Sequence, residues 1–195
     1  MQTVNFINMV DGTKEDYEFL HEQEKPFIDA LPDRIMDALR QLDGSFGGYK
    51  VSRLEHSLQS ATHAHRNGED EEMVVAALVH DIGDNLAPSS HSEIAAGILR
   101  PYVSEKTYWI VKHHGIFQMY YYAHHFGRNR NARDRFKDHP YYADTARFCE
   151  IYDQNCFDPD FDTLPLEFFE PMVKRIFTRE PKFSETSDQR LSKVA

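Results

Sequence analysis

The stretch Met73-Val74-Val75-Ala76-Ala77-Leu78-Val79-His80-Asp81-Ile82-Gly83 decides the fold. Its first seven residues are apolar on every side, a pattern that suits a helix at the centre of a domain. Glu69-Asp70-Glu71-Glu72 precedes it and puts acid at the helix start, where the macrodipole favours negative charge. Its far end carries His80 and Asp81. A charged group at the end of a buried helix is costly unless it meets a counter-charge or a metal. Adjacent His and Asp at one helix end can coordinate one cation together, and a carboxylate can bridge to a second.

Working outward from this helix, helical periodicity dominates. A first helix is expected over residues 17–28, with Pro26 placed to interrupt it. A second begins at Leu31-Pro32-Asp33, with Pro in the first turn and Ile35, Met36, Leu39 and Leu42 as its apolar stripe. Residues 44–48 form a glycine-rich break. Residues 54–65 read as a helix closed by Asn67-Gly68. Further helices are expected over 92–99, 105–118, 142–153 and 166–177. Residues 126–140 are basic and polar and read as a loop or short helix. No strand alternation and no internal repeat stand out, so the expected class is all-α. One domain is expected over residues 1–195: N-terminal helices to 45, a metal-binding core over 46–157, a C-terminal helix within 158–180 and a tail over 181–195.

With 41 % hydrophobic and 13 % aromatic residues, the 195-residue chain can bury a substantial core. Its 22 basic and 32 acidic residues give a formal charge of -10. That argues against a nucleic-acid partner, which needs a basic surface to release counterions. It leaves room for a small anion, for which one local pair of cations is enough. Cys149 and Cys156 read as two packing thiols rather than a disulfide. Residues 1–10 lack the basic start and apolar run of a secretory signal, and no stretch approaches the ~20 apolar residues of a membrane span. The expectation is a cytoplasmic protein without membrane association or an obligate protein partner.

The chain holds eleven histidines. A lone His on a helix is more often packed or solvated than a ligand, and that reading covers His21, His63, His65, His113, His124, His125 and His139. The ordered set His56, His80-Asp81, His91, His114 and Asp153 is different. Each member falls on or beside an expected helix with an apolar face: Leu54 and Leu58 near His56, Ile94 and Ile98 near His91, Ile110 and Val111 near His114, Ile151 near Asp153. Five helices can thus aim ligands at one point in a bundle core, a known way to build dimetal sites.

His56, His80-Asp81 and Asp153 match the signature of the HD superfamily, and the two extra histidines mark its dinuclear branch. More narrowly, Leu54-Glu55-His56-Ser57-Leu58-Gln59 together with residues 73–83 resembles the HD-domain mixed-valence di-iron oxygenases of organophosphonate breakdown, themselves similar to myo-inositol oxygenase. The resemblance covers about residues 46–157. It implies an HD-domain helical bundle with a dinuclear metal site in the core. It implies that His56, His80, Asp81 and Asp153 hold one iron, and that Asp81 bridges to a second iron completed by His91 and His114. Asp81, His91 and His114 are then the catalytic set, with two iron ions as Fe(II)/Fe(III) and dioxygen as co-substrate.

The substrate shell departs from the aminohydroxyethylphosphonate branch of that family. Where that branch has His, Lys and Arg, this chain has Asp84, Gln118 and Glu150, and Phe46 and Tyr49 stand where it has a Tyr-x-x-Glu lid. Aromatics replace the lid carboxylate, which suits a quaternary ammonium. The expected substrate contacts are Phe46, Tyr49, Asp84, Gln118 and Tyr121, with Arg133 and Arg135 offering guanidinium groups to a phosphonate. The expected reaction is oxidative C–P cleavage of (R)-1-hydroxy-2-(trimethylammonio)ethylphosphonate to glycine betaine and phosphate. The competing readings are a metal-dependent HD phosphohydrolase acting on a small phosphoester and a metal-dependent ligand sensor without turnover.

Overall fold

A computed structural model describes residues 2–44 and 47–182. The described residues form eight α-helices with no strand: α1 (Lys14–Asp29), α2 (Leu31–Gln41), α3 (Arg53–Arg66), α4 (Glu71–Val79), α5 (His91–Leu99), α6 (Glu105–Tyr122), α7 (Tyr142–Tyr152) and α8 (Leu166–Phe177). The all-α expectation is met. None of these helices is long and apolar enough to cross a membrane.

Helix starts follow their caps. Ser52, Asp70 and Ser104 each accept the backbone N–H three residues on, opening α3, α4 and α6, and each satisfies one of the donors a helix leaves unpaired at its start. Thr13 and Asp16 form a reciprocal capping box on α1. Asn67 closes α3, and Gly68 follows at φ 73°, a left-handed turn that suits glycine.

Helix α4 is the centre. Val74 through Val79 are all buried, with α3, α6 and α8 packed around them. The amphipathic α2 lays Ile35, Met36 and Leu39 against α8, which returns Phe169, Val173 and Ile176. Two boundaries differ from expectation. Helix α1 runs through Pro26 to Asp29; it buries no residue, so the lost backbone donor falls where water can serve the freed carbonyl. Helix α6 extends four residues past Gln118, so the Tyr120-Tyr121-Tyr122 run is helical and its rings point in different directions. Cys149 and Cys156 are buried free thiols, as expected. Cys156 lies past the end of α7 rather than on it.

Burial differs sharply between α4 and α1, and that sets an expectation for stability. Leu78→Ala should cost about 2–5 kcal/mol, the range for a buried Leu that leaves a cavity. Ile28→Ala, on the exposed α1, should stay within about 0.5 kcal/mol. Chemical denaturation of both variants measures the contrast, and equal losses would mean that α4 is not the core.

Candidate metal centre

Five helices deliver the six expected ligand residues to one place. His56 sits in the first turn of α3, His80 and Asp81 follow the last turn of α4, His91 opens α5, His114 lies midway along α6, and Asp153 caps α7. All are buried except His91, whose side chain is 25 % exposed.

Backbone carbonyls fix each ring. Nδ1 of His56 faces the Cys156 carbonyl at 3.0 Å, that of His80 the Ala77 carbonyl at 2.7 Å, that of His91 the Pro88 carbonyl at 3.2 Å, and that of His114 the Val111 carbonyl at 2.7 Å. A carbonyl only accepts, so Nδ1 carries the proton in all four and Nε2 is left with a lone pair. The Nε2 atoms then meet in pairs: His56 to His80 at 3.2 Å, and His91 to His114 at 3.2 Å. Two lone pairs at that distance repel each other, and a cation between them turns the repulsion into coordination.

Asp81 joins the pairs. Its Oδ2 lies 3.6 Å from both His56 Nε2 and His80 Nε2, while its Oδ1 lies 3.4 Å from His91 Nε2 and 3.3 Å from His114 Nε2. Asp153 Oδ1 completes the first group, 3.4 Å from His56 Nε2 and 3.8 Å from His80 Nε2. Donors about 2.1 Å from a common centre stand roughly 3.0–3.4 Å apart at octahedral to tetrahedral angles. The group of His91, His114 and Asp81 has that spacing and the group around His56 and His80 is slightly wider; sharing one carboxylate, the two could hold two metal ions. The buried Asp153 Oδ2 has no hydrogen-bond partner among the described residues, a further sign that this carboxylate is set for a cation.

Electrostatics agree. Burial opposes charge on His56, but the hydrogen bond that its ring N–H donates to Asp153 and the charges of Asp81 and Asp153 outweigh it and raise its pKa above the usual 6.5. His114 is raised in the same way, burial being overcome by Asp81. Burial dominates at His80 and pushes it down to about 4. Burial also opposes ionisation of Asp81 and Asp153, yet the surrounding imidazoles hold Asp81 well below the usual carboxylate range and lower Asp153. The carboxylates thus favour positive charge at His56 and His114, as they would favour a cation held there.

Around this centre lies a support layer. Asp84 Oδ1 is 3.2 Å from His91 Nδ1, and Gln118 donates to Asp153 Oδ1 at 2.9 Å. Carboxylate and amide partners of this kind orient metal ligands. Gly83 permits the close approach of α5, since a Cβ there would stand 2.7 Å from the His91 carbonyl oxygen.

The cluster opens into a cavity of about 360 Å³, walled by Tyr49, Arg53, Gln118, Tyr121, Tyr122 and Phe157. The cavity is of a size for a small molecule. Of the expected substrate contacts, Tyr49, Gln118 and Tyr121 lie on this wall. Asp84 lies behind it, 5 % exposed. Arg133 and Arg135 are not brought to it. The polypeptide after α6 folds back in two 3₁₀ turns, which stacks Arg133 on Tyr120 at 3.7 Å and Arg135 on Phe136 at 4.6 Å. Phe46 lies outside the described residues. Arg53, Tyr122 and Phe157 are wall residues that the sequence reading missed. Arg53 had a signal: it precedes His56 by three positions, on the same helix face. Phe157 stacks on the His56 ring at 4.5 Å, a contact made only by the fold. His113 and His139 pack on either side of Trp109 at 4.0 Å each, in keeping with a packing role.

Residues 53–148 match the HD domain family. The chain is also 34 % identical over 86 residues to 1-hydroxy-2-(trimethylamino)ethylphosphonate dioxygenase (glycine-betaine-forming) of Leisingera caerulea, a match covering 38 % of this chain and 44 % of that protein. The chain thus spans less than half the length of that curated relative. The first finding is a likeness to HD domains, and the second is a partial likeness to one phosphonate dioxygenase.

Metal analysis of the purified protein should find close to two ions per chain. His91→Ala or His114→Ala should leave one, and two ions retained in both variants would refute the two groups. A pH effect follows from the same cluster. In the metal-free protein, the raised His56 and His114 contribute stability that is present below 6.5 and lost as pH rises through their folded values. The lowered His80 acts in the other window, losing stability as pH falls below 6.5. Chelated protein should therefore melt at a falling temperature as pH rises above about 6.5, and metal-loaded protein should not, because its histidines carry no such protons. Parallel melting curves for the two forms would refute this.

Proposed function

We propose that this chain, which carries an HD domain over residues 53–148, is a dinuclear iron oxygenase that cleaves the C–P bond of a 1-hydroxyphosphonate. The observation that carries the reading is one carboxylate, Asp81, shared between two imidazole pairs at the floor of an aromatic-walled cavity. The partial likeness to a phosphonate dioxygenase supports it. The best candidate substrate is (R)-1-hydroxy-2-(trimethylammonio)ethylphosphonate. Substrate and one dioxygen would give glycine betaine, phosphate and a proton: C–P, C–H and O–H bonds break at C1 and its hydroxyl, the O–O bond breaks, one oxygen joins C1 to complete a carboxylate with the original hydroxyl oxygen, and the other joins phosphorus.

Nitrogen and oxygen donors with open positions suit iron, and a Fe(II)/Fe(III) pair held by His56, His80, Asp81, Asp153, His91 and His114 would supply a docking point for substrate oxygens and electrons for dioxygen. The chain's own residues do the rest. The four Nδ1–carbonyl hydrogen bonds hold the rings in one tautomer. Gln118 fixes Asp153 from the cavity side. Tyr49, Tyr121, Tyr122 and Phe157 exclude water and offer ring faces to a trimethylammonium group, which cannot donate a hydrogen bond.

Oxygen uptake by iron-reconstituted protein over a panel of 1-hydroxyphosphonates tests the reading. Each dioxygen consumed should release one phosphate. Cation–π contacts contribute about 2 kcal/mol or more when desolvated, so the trimethylammonio substrate should exceed its primary-amine analogue by tens of fold in kcat/KM. Tyr49→Ala should narrow that ratio and leave iron content intact. Equal turnover of both amines would overturn the cage. Robust phosphatase activity with Mn or Zn in the absence of dioxygen would replace the oxygenase with a hydrolase.

A further inference from the structure

Arg53 is the one permanently charged cation among the described residues that line the cavity. It sits on the first turn of α3, one turn before His56. Its Nε is 3.0 Å from Asp84 Oδ2 and its Nη1 is 3.4 Å from Asp81 Oδ2, the carboxylate at the centre of the metal cluster. The Tyr49 ring lies 5.2 Å from its guanidinium carbon. Asp84 in turn reaches His91 Nδ1 with its other oxygen. The guanidinium is thus held in place by two buried carboxylates and bears on the cavity beside the ligands.

We propose that Arg53 is a specificity-determining residue that receives an anionic oxygen of the substrate at the mouth of the metal cluster, with Asp84 as its positioning partner. The proposal rests on reading the cavity as the substrate site. The charge pattern carries it. Asp81 and Asp153 face the two cation positions, and Asp84, behind the wall, pairs with Arg53 and His91, so each carboxylate of the site faces a cation position, a guanidinium or an imidazole. An added anionic group then meets Arg53 and the metals together, with no unmatched carboxylate to repel it. The rest of the wall is aromatic or neutral and offers an anion little. A planar guanidinium suits phosphonate or phosphate oxygens through paired N–H donors. This arrangement selects a tetrahedral oxyanion at the inner end and an apolar or cationic group at the aromatic end.

The test separates binding from turnover. Zinc is redox-inert, so zinc-loaded protein supports binding measurements without oxygen chemistry. Inorganic phosphate and methylphosphonate are titrated calorimetrically into wild type, Arg53→Gln and Arg53→Lys, with zinc content measured for each and tetramethylammonium as a probe of the aromatic end. The expected result is a loss of phosphate affinity of about tenfold or more in Arg53→Gln, two metals retained, and tetramethylammonium binding unchanged. Arg53→Lys keeps the charge but loses the planar donor pair, and should fall between. If Arg53→Gln loses a metal, Arg53→Lys with both metals decides: phosphate affinity equal to wild type overturns the proposal. Unchanged phosphate affinity in a two-metal Arg53→Gln also overturns it. The oxygenase reading fails separately. Arg53-dependent phosphate binding without dioxygen uptake would sink that reading alone, and dioxygen uptake with Arg53-independent binding would sink this one alone.

Discussion

The structure depends on how one carboxylate is shared. Asp81 offers Oδ2 to His56 and His80 and Oδ1 to His91 and His114. Those contacts tie α3, α4, α5 and α6 to a single point, and Asp153 adds α7. A carboxylate this deep is expensive to bury without compensation. Four imidazoles supply it, and bound cations would add to it. The apolar body of α4 serves this arrangement by carrying the His80-Asp81 pair into the centre, where water cannot compete for the donors.

Helix ends make the tautomers possible. The last turn of a helix leaves carbonyls without intrahelical partners. The Ala77 carbonyl, two residues before the end of α4, takes the His80 Nδ1 proton at 2.7 Å. The His80 ring therefore satisfies a terminal acceptor and, by the same bond, turns its Nε2 lone pair toward His56. The Cys156 carbonyl does the equivalent service for His56 from the segment after α7. Segments that end near the cluster thus supply both ligands and the acceptors that orient them.

The helices were legible because their signals are local. The Ser52, Asp70 and Ser104 caps, the apolar run of α4 and the stripe of Ile35, Met36 and Leu39 all act within a few residues of one another. The gathering of His56, His80, Asp81, His91, His114 and Asp153 at one point was legible because His and Asp are rarely placed in order on five apolar-faced helices without a reason. The cavity wall was not. Tyr120, Tyr121 and Tyr122 are equivalent in sequence, yet α6 turns Tyr121 and Tyr122 to the cavity and Tyr120 to Arg130 and Arg133. The arginine-rich segment looked like a set of anion ligands, but its guanidinium groups stack on aromatic rings once the chain folds back on α6. Phe157 reaches His56 from a hundred residues away in sequence. Contacts of that kind exist only in three dimensions.

The division between the cluster and its wall follows from these constraints. The cluster admits little variation, since every Nε2 is aimed by a backbone carbonyl and shares one carboxylate with its neighbours. The wall is built from side chains on α3 and α6 and from the segments around Tyr49 and Phe157, and its residues differ in how closely they bear on the cluster: Arg53 touches Asp81 and Phe157 stacks on His56. Gln118 shows the boundary. It touches Asp153 on one side and the cavity on the other, so a change there acts on the cluster and on the cavity at once. Tyr49 lies farther out, 55 % exposed and stacked on Phe157 at 4.7 Å, and a change there acts on what enters. Cluster and wall are therefore coupled through Arg53, Gln118 and Phe157 and separable farther out, at Tyr49.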